Sequence, residues 1–555
     1  MSESSIVELE RVTVKRRPYT HYGAKSFYIT LIRPPAVCAA DAVNISSLTP
    51  PLALAYLSGF LRKAGYSVTN IDSIGEGIDE IHSLQRNPNM EAQGLSVGEI
   101  LLRIPEETDL IGVSCMFSLE WPATRDLILQ VRTHFPRIPI VVGGEHATAL
   151  PEFCLKECRA IDFIVLGEGE LILNHLVEAL HEGKSTNGIP GILSRSRLAG
   201  EHGSGYGRAS PSSRIDGASG IRFRDLDELP WAAWDLTPIQ AYLDRKMTFG
   251  RYVGLTMPIV GSRGCPYECT FCSSPSMWGR RYLTRSPADV VDEILFYKAK
   301  YGIDAVEFYD LTPIIKKSWI IEFCDELIRR DAGIKWQISG GTRCEAIDEE
   351  VIIRSKQAGC GYLGFAPESG VQEVLDRIKK RIKLPHLLEL IRLAQKHGVD
   401  TRCNIVIGFP DDSRYEIYRS LVFQLRLAYL GVVDVPIFDF TPYPGSELFE
   451  RLLNEGIIPD LKDGYFESLG MNIQVRNRRR YCRRVGPLEL MLYRIIGMTG
   501  FYTLYYLLRP AKLLGFFSNI LSYRRSNSVF EQRIIQNIHK QTRKLGRHWH
   551  DKQVL

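Results

Sequence analysis

Twice along this 555-residue chain, short apolar runs alternate with stretches of helical periodicity, and that alternation leaves few folds open. Strands apolar at nearly every position must be covered on both faces, which calls for parallel strands with helices packed on each side. The first series comprises Phe27–Ile32, Ser67–Asp72, Leu110–Ser114, Ile138–Val142 and Phe163–Leu166, with a helix over Pro51–Arg62. The second comprises Met257–Val260, Ala305–Tyr309, Lys335–Ser339, Tyr362–Ala366, Cys403–Ile407 and Val435–Phe440, with helices such as Pro287–Lys298 between them. The expected class is α/β. Residues 25–190 form a Rossmann-like, doubly wound parallel sheet, and residues 251–450 a partial (β/α)6 TIM-like barrel. Both architectures bind ligands in the loops beyond the carboxyl ends of their strands. Around them lie an N-terminal extension (1–24), a linker and connecting segment (191–250) and a mostly helical C-terminal region (451–555). Residues 194–220 are rich in Gly, Ser, Ala and Arg without apolar periodicity, as expected of an exposed excursion.

The chemistry concentrates in one loop after the first strand of the second series. Residues Gly261 to Cys272 read Gly-Ser-Arg-Gly-Cys-Pro-Tyr-Glu-Cys-Thr-Phe-Cys, placing Cys265, Cys269 and Cys272 at Cys-x3-Cys-x2-Cys spacing. Three thiolates so placed can ligate three irons of a [4Fe–4S] cluster, and no fourth cysteine follows nearby. The remaining iron is then open to an outside ligand, which turns an electron carrier into a catalytic centre. Zinc is the weaker alternative, since it takes four ligands and the next cysteine, Cys344, lies far downstream. A disulfide staple is out of keeping with a long chain whose first residues lack a secretion signal.

The string Arg263-Gly264-Cys265-Pro266-x-x-Cys269-x-Phe271-Cys272 resembles the signature of the radical S-adenosylmethionine (SAM) enzymes. Residues 25–450 resemble the branch of that family with an N-terminal cobalamin-binding domain. The resemblance implies three cofactors: a [4Fe–4S] cluster on Cys265, Cys269 and Cys272, SAM, and cobalamin. It also implies a small electron donor such as flavodoxin or ferredoxin. For SAM it points to Phe271 beside the last cysteine, Asp310 at the second strand end, Arg343 at the third, and Glu368 with Ser369 at the fourth. A carboxylate at Glu368 accepts both ribose hydroxyls well. Gly408-Phe-Pro410 would turn beneath the adenine, and Thr441–Gly445 would close the barrel.

In the first series, three strings begin as strands end: Ser114-Cys-Met-Phe-Ser118, Gly143-Gly-Glu-His-Ala-Thr148 and Gly167-Glu-Gly169. Small residues there let backbone approach a large flat ligand while hydroxyls and amides bond its rim. Their similarity to the family's strings implies cobalamin contacts from Ser114, Ser118, Gly143, Gly144, Glu145, Thr148, Gly167 and Glu168. One departure stands out. The Asp-x-His-x-x-Gly motif that supplies an axial histidine in cobalamin mutases is absent, and the first strand runs into Arg33-Pro34-Pro35. His146 reads as a packing or surface residue, so no protein histidine is expected on cobalt. The same absence also fits a domain that binds nothing.

Charge is unevenly spread. Residues 471–555 hold 17 Lys+Arg against 3 Asp+Glu, a net +14, which leaves −9 for the first 470. A mildly acidic body argues against nucleic acid as a partner, while the basic tail leaves open an anionic membrane surface, substrate or protein. Within that tail, Met491–Leu508 and Leu513–Leu521 are apolar, but Arg494 interrupts the first, which is too short to span a bilayer. A helical hairpin capping the substrate cavity and an interfacial membrane contact are both compatible with this pattern. Arg280, Arg281 and Arg285, just past the cysteine loop, suit either an anionic substrate or a helix cap. With 12 cysteines and no export signal, a cytoplasmic location is expected, peripheral at the inner membrane face if the tail meets lipid.

The function implied is a cobalamin-dependent radical SAM C-methyltransferase acting on an unactivated carbon of a natural-product or lipid-like small molecule. An oxidative cyclase or ring-rearranging enzyme shares the same motifs. A corrinoid or iron–sulfur sensor without turnover is the non-enzymatic alternative.

Overall fold

A computed structural model describes residues 25–40, 48–195, 222–470, 479–522 and 526–538. The expected N-terminal extension, most of the linker and residues 476–478 of the basic cluster lie outside the described residues.

Before residue 195 the strands are β1 (Tyr28–Arg33), β2 (Ala36–Ala39), β3 (Ser67–Asp72), β4 (Ile81–Leu84), β5 (Asn87–Gln93), β6 (Leu110–Ser114), β7 (Ile140–Gly143), β8 (Phe163–Val165) and β9 (Ile192–Ser194). Six of them form one sheet in the order β3-β1-β6-β7-β8-β9, parallel through β8. Alternate side chains enter separate cores: Ile111, Val113, Ile140 and Val142 on one face, Leu110, Val141 and Val165 on the other. This two-sided burial is what the unbroken apolar runs predict. Two features go beyond that expectation. The edge strand β9 runs antiparallel to β8 and, at three residues, is too short to show a period. A small antiparallel sheet, β2-β5-β4, is built around the polar strand β5, whose Pro88 argues against a strand.

The second sheet is β10 (Thr256–Ile259), β13 (Ala305–Phe308), β14 (Lys335–Thr342), β15 (Cys360–Glu368), β16 (Asp400–Ile407) and β17 (Ile437–Asp439), parallel and in sequential order. Between β10 and β13, the short pair β11 (Ser262–Arg263) and β12 (Leu283–Thr284) is antiparallel, and the cysteine loop lies between its strands. This is a six-stranded partial barrel with an open side between β10 and β17.

The segment joining the two sheets carries Trp231 and Trp234. Trp234 Nε1 donates to the Tyr297 hydroxyl at 2.9 Å and Trp231 Nε1 to Asp289, both on the helix Pro287–Tyr301. Phe223 meets Phe60 edge-on, and Ala233 N–H donates to Ala55 O, both on the helix Leu52–Lys63. These contacts tie the N-terminal sheet to the barrel. The tail forms the helices Pro487–Leu508 and Pro510–Ser522. The first begins at the carboxyl end of β16, where Leu490 meets Gly408, and runs down the β17 edge, with Gly497 against Leu421 and Ile437. The hairpin therefore covers the barrel's side. No described helix is long and apolar enough to cross a membrane.

Candidate active site

The loop carrying Cys265, Cys269 and Cys272 starts where β10 ends and is anchored at both flanks. On one side, Asp310, just past β13, accepts from Gly261 N–H at 3.2 Å and from the Ser262 hydroxyl at its root. On the other, Thr270 N–H donates to Ile378 O at 3.0 Å and Leu448 N–H donates to Thr270 O at 2.9 Å. Gly264 takes φ of +85°, and a Cβ there would stand 2.1 Å from Arg281 O, so only glycine lets the chain turn into the loop.

The three thiols are free and half-buried. Burial pushes the Cys265 thiol up, and the nearby Lys380 and Arg343 partly offset it; burial also pushes Cys272 up, to about 11. Half-buried thiols on one loop, with Lys380 and Arg343 beside Cys265, suit a metal centre that takes up thiolates. The three sulfurs do not converge as ligands of one small ion would. Among the described residues, the only group of three donor atoms within 4.8 Å of one another is Glu80, His82 and Glu99. Thiolates about 2.3 Å from one zinc would lie closer together than that. A cubane, with its irons at separate corners, suits the wider spread.

The strand-end residues expected at SAM surround this loop, with added partners. Arg343 stacks its guanidinium 3.7 Å above the Tyr267 ring, between the first two cysteines, while its nitrogens donate to Glu345 and to Lys380 O. Glu368 Oε1 accepts from Lys380 Nζ at 3.0 Å, and that ammonium sits 5.9 Å from the Phe271 ring centre. Lys380 is buried, yet Glu368 and Cys269 more than offset the burial and hold its pKa up. Glu368 itself holds φ of 69°, in the left-handed region that non-glycine residues seldom take; such strain marks functional strand ends. The Ser369 hydroxyl meets Ser420 Oγ and accepts from Val371 N–H. Burial raises Asp310 to about 6 against the pull of its hydrogen bonds.

The glycine-rich strand ends of the first sheet face the same loop. Ser114 and Gly143 are register partners at the ends of β6 and β7. Gly144 has φ of +115°, and a Cβ there would stand 2.5 Å from Cys115 O. Thr148 Oγ1 accepts from Gly167 N–H at 3.1 Å, and Ser118 Oγ meets His146 Nδ1 at 2.9 Å. The two carboxylates of this set turn toward the barrel. Glu145 accepts from the Ser273 hydroxyl, next to Cys272. Glu168 pairs with Arg222 and, at 3.2 Å, with Arg263, whose other nitrogen is 2.7 Å from Glu170 Oε1. His146 is buried between Trp121 and Phe466, and burial pushes its pKa down to about 3. It packs, as the sequence suggested.

The sequence reading did not single out Lys380, Ser262, Glu170 or the clamp role of Arg263. Only Arg263 left a sign, as the first residue of the Arg-Gly-Cys-Pro string. Arg285 resolves an open choice: it bonds Val260 O, Asp289 and Glu293, fixing the first turns of the helix Pro287–Tyr301.

Comparison with known proteins agrees with this arrangement. Residues 40–177 match the family model of the B12 binding domain, and residues 259–421 match that of the radical SAM superfamily. The cytidylyl-2-hydroxyethylphosphonate methyltransferase of Streptomyces wedmorensis is 29% identical over 444 residues, covering 75% of this chain and 80% of that protein. The anaerobic magnesium-protoporphyrin IX monomethyl ester cyclase of Rubrivivax gelatinosus is 26% identical over 455 residues, covering 80% and 74%. Among solved structures, the radical SAM methyltransferase TsrM from Kitasatospora setae, with cobalamin and a [4Fe–4S] cluster bound, superposes with a TM-score of 0.60. The match covers 87% of this chain and 89% of that one at 17% identity, a likeness of fold.

Proposed function

Because the chain belongs to the radical SAM enzymes that carry a B12-binding domain, we propose that it is a C-methyltransferase acting on an unactivated carbon of a natural-product or lipid-like substrate. The observation that carries this reading is the meeting of two active faces. Glycine-rich ends of β6–β8 and the cysteine loop at the end of β10 are joined through Glu145–Ser273 and Glu168–Arg263.

When bound, the cluster, SAM and cobalamin supply one-electron cleavage of a sulfonium C–S bond and a transferable methyl group. The chain's own residues position and enclose. Cys265, Cys269 and Cys272 would hold three irons, on a loop fixed by Asp310 and by the β11–β12 pair. Glu368, held by Lys380, would accept the ribose hydroxyls; Phe271 would pack beside the nucleoside and Arg343 would face a carboxylate. Ser114, Gly143, Gly144, Thr148 and Gly167 would line the corrinoid face, where a Cβ at Gly144 would strike Cys115 O. Glu145 and Glu168 serve this face through the barrel contacts they make. Water exclusion follows from close packing of the two faces: Gly445 stands against Ser276 and Ala149, with no room for a side chain between them.

The test is turnover with methyl-labelled SAM under strictly anaerobic, reducing conditions, with flavodoxin or ferredoxin as donor. Label appearing in product supports methyl transfer. A substrate-dependent product without label makes the chain a cyclase or ring-rearranging enzyme, as in the Rubrivivax relative.

The exposed face of the tail supports a peripheral membrane contact as part of this reading. Leu488, Leu492, Ile496, Leu507, Leu514 and Leu521 are each more than half exposed, beside Arg509 and Lys512. Co-sedimentation with phosphatidylglycerol vesicles, lost at high salt and absent with neutral lipid, tests it.

A further inference from the structure

We propose that the barrel interior holds a second polar subsite, in which Arg402 and Arg533 grip an anionic group of the substrate, a phosphonate, phosphate or carboxylate, far from the cysteine loop. The inference rests on reading the barrel as the substrate chamber and adds the chemistry of what enters it.

Along β16, Cys403, Ile405 and Ile407 are buried in the apolar core, so Arg402 and Asn404 face the opposite way, into the barrel. Arg402 is only 7% exposed. Its Nε donates to Asn404 Oδ1 at 2.9 Å, while Nη1 and Nη2 have no hydrogen-bond or ion-pair partner among the described residues. Asn404 Nδ2 reaches across β15 to Gly340 O on β14 at 3.3 Å. That reach is open because the intervening positions are Gly364 and Ala366. A hollow remains at mid-height: the Phe249 ring lies against Gly340 and Tyr309 yet is 38% exposed, and Phe438 on β17 is 37% exposed.

A second guanidinium enters this hollow from the residues after 526. Arg533 donates to Phe249 O at 2.9 Å and to Gln536 Oε1 at 2.7 Å. Phe249 lies against Gly340, whose carbonyl accepts from Asn404, the partner of Arg402, so the two cations approach the same hollow through shared neighbours. Burial first, and then the charge of Arg402, push the Arg533 pKa down to about 10. The neighbouring carboxyls are committed elsewhere. Asp434 accepts from the Tyr502 hydroxyl at 2.6 Å and from Val529 N–H at 3.2 Å. Glu307 accepts from the Thr248 hydroxyl and Gly250 N–H, and burial raises its pKa toward the neutral form. Neither makes an ion pair with Arg402.

A desolvated guanidinium with no ion pair, as at Arg402 among the described residues, is costly, and its planar fork matches a two-oxygen anion. Arg402 stands five residues before the end of β16, about 16 Å along a strand rising ~3.3 Å per residue. The anion would therefore sit at one end of an elongated substrate, with the reacting carbon nearer the other.

The test uses the full chain, anaerobically reconstituted, and isothermal titration with three probes: ethylphosphonate, inorganic phosphate and propionate. Saturable binding of at least one probe is expected, and which probe binds tightest distinguishes the three anions. Arg402→Gln should weaken that binding at least tenfold, while Arg426→Gln, on the exposed face of the helix Arg414–Leu430, should leave it unchanged. Should Arg402→Gln fail to fold by circular dichroism, Arg533→Gln supplies the same comparison. No saturable binding of any probe, equal binding in the variant, or equal loss in Arg426→Gln would overturn the subsite. Release of 5′-deoxyadenosine from SAM is measured on the unsubstituted chain and on Arg426→Gln without substrate, and should be present in both. A missing subsite is thereby told apart from a missing radical SAM activity.

Discussion

Arg263 Nη2 lies 2.7 Å from Glu170 Oε1, and both groups are buried. The arginine opens the cysteine loop of the barrel; the glutamate begins a helix of the N-terminal domain, Gly169–His181. With Glu168 on its other nitrogen and the Tyr56 and Trp278 rings nearby, Arg263 is a buried rivet between the two halves. Removing one partner from such a site strands charge in a dry interior. Glu170→Ala should cost on the order of 3 kcal/mol, read as a lower urea midpoint by tryptophan fluorescence. Glu168→Ala should cost at least as much, since it also strands Arg222. Unchanged midpoints in both would remove the rivet from the account of the fold.

Cys265→Ala, Cys269→Ala and Cys272→Ala should each abolish the broad visible absorption of an anaerobically reconstituted cluster and lower iron from about four per chain. Cys344→Ala should keep both signals, as it is buried away from solvent with its carbonyl on His386. Full cluster loading in any of the three loop variants would refute the assignment.

Lys380→Met keeps the bulk of the side chain but frees Glu368 from its only ion-pair partner among the described residues. If that carboxylate receives the ribose, the apparent KM for SAM in deoxyadenosine formation should rise about tenfold with a smaller change in kcat, the pattern of lost uniform binding. A purely structural role for Lys380 would instead lower the melting temperature and leave KM unmoved.

His146 gives the fold an acid weakness. Its folded pKa of about 3 lies below the unfolded value of 6.5, so the unfolded chain binds a proton that the native state refuses. Its stabilising contribution is whole above pH 6.5 and declines as pH falls toward 3. Between pH 7 and pH 5 the loss is about 2 kcal/mol. In His146→Gln, which keeps a polar contact to Ser118 without a titrating ring, the urea midpoint should depend less on pH across that window. An unchanged pH slope would count against the burial of a neutral imidazole.

How much of this was legible in the sequence depends on the kind of signal. The two parallel sheets were, because strands covered on both faces must be apolar at successive positions, and Ile111–Val113 and Ile405–Ile407 satisfy that. Strands β4, β5 and β9 were not, since a polar strand containing Pro88 and a three-residue edge carry no period. The cysteine loop stood out through spacing alone. Lys380 was invisible because it lies in the unremarkable run Lys379-Lys380-Arg381, and only the left-handed turn there swings it onto Glu368. Glu145 and Glu168, expected on a flat ligand, have side chains that reach Ser273 and Arg263 of the barrel, a contact that composition at a strand end does not encode.

The short segment after residue 526 has a consequence for biosynthesis. Ser526 N–H donates to Tyr252 O, Val529 N–H to Asp434, and Arg533 to Phe249 O, so it seals the barrel floor against residues that left the ribosome far earlier. During translation the six strands must wait, unsealed, while the entire helical hairpin is made. That interval exposes a polar hollow and the unpaired edges of β10 and β17 to chaperones and to misassembly. A stalled or clipped product ending before residue 526 would thus carry both sheets and the hairpin yet lack the stopper.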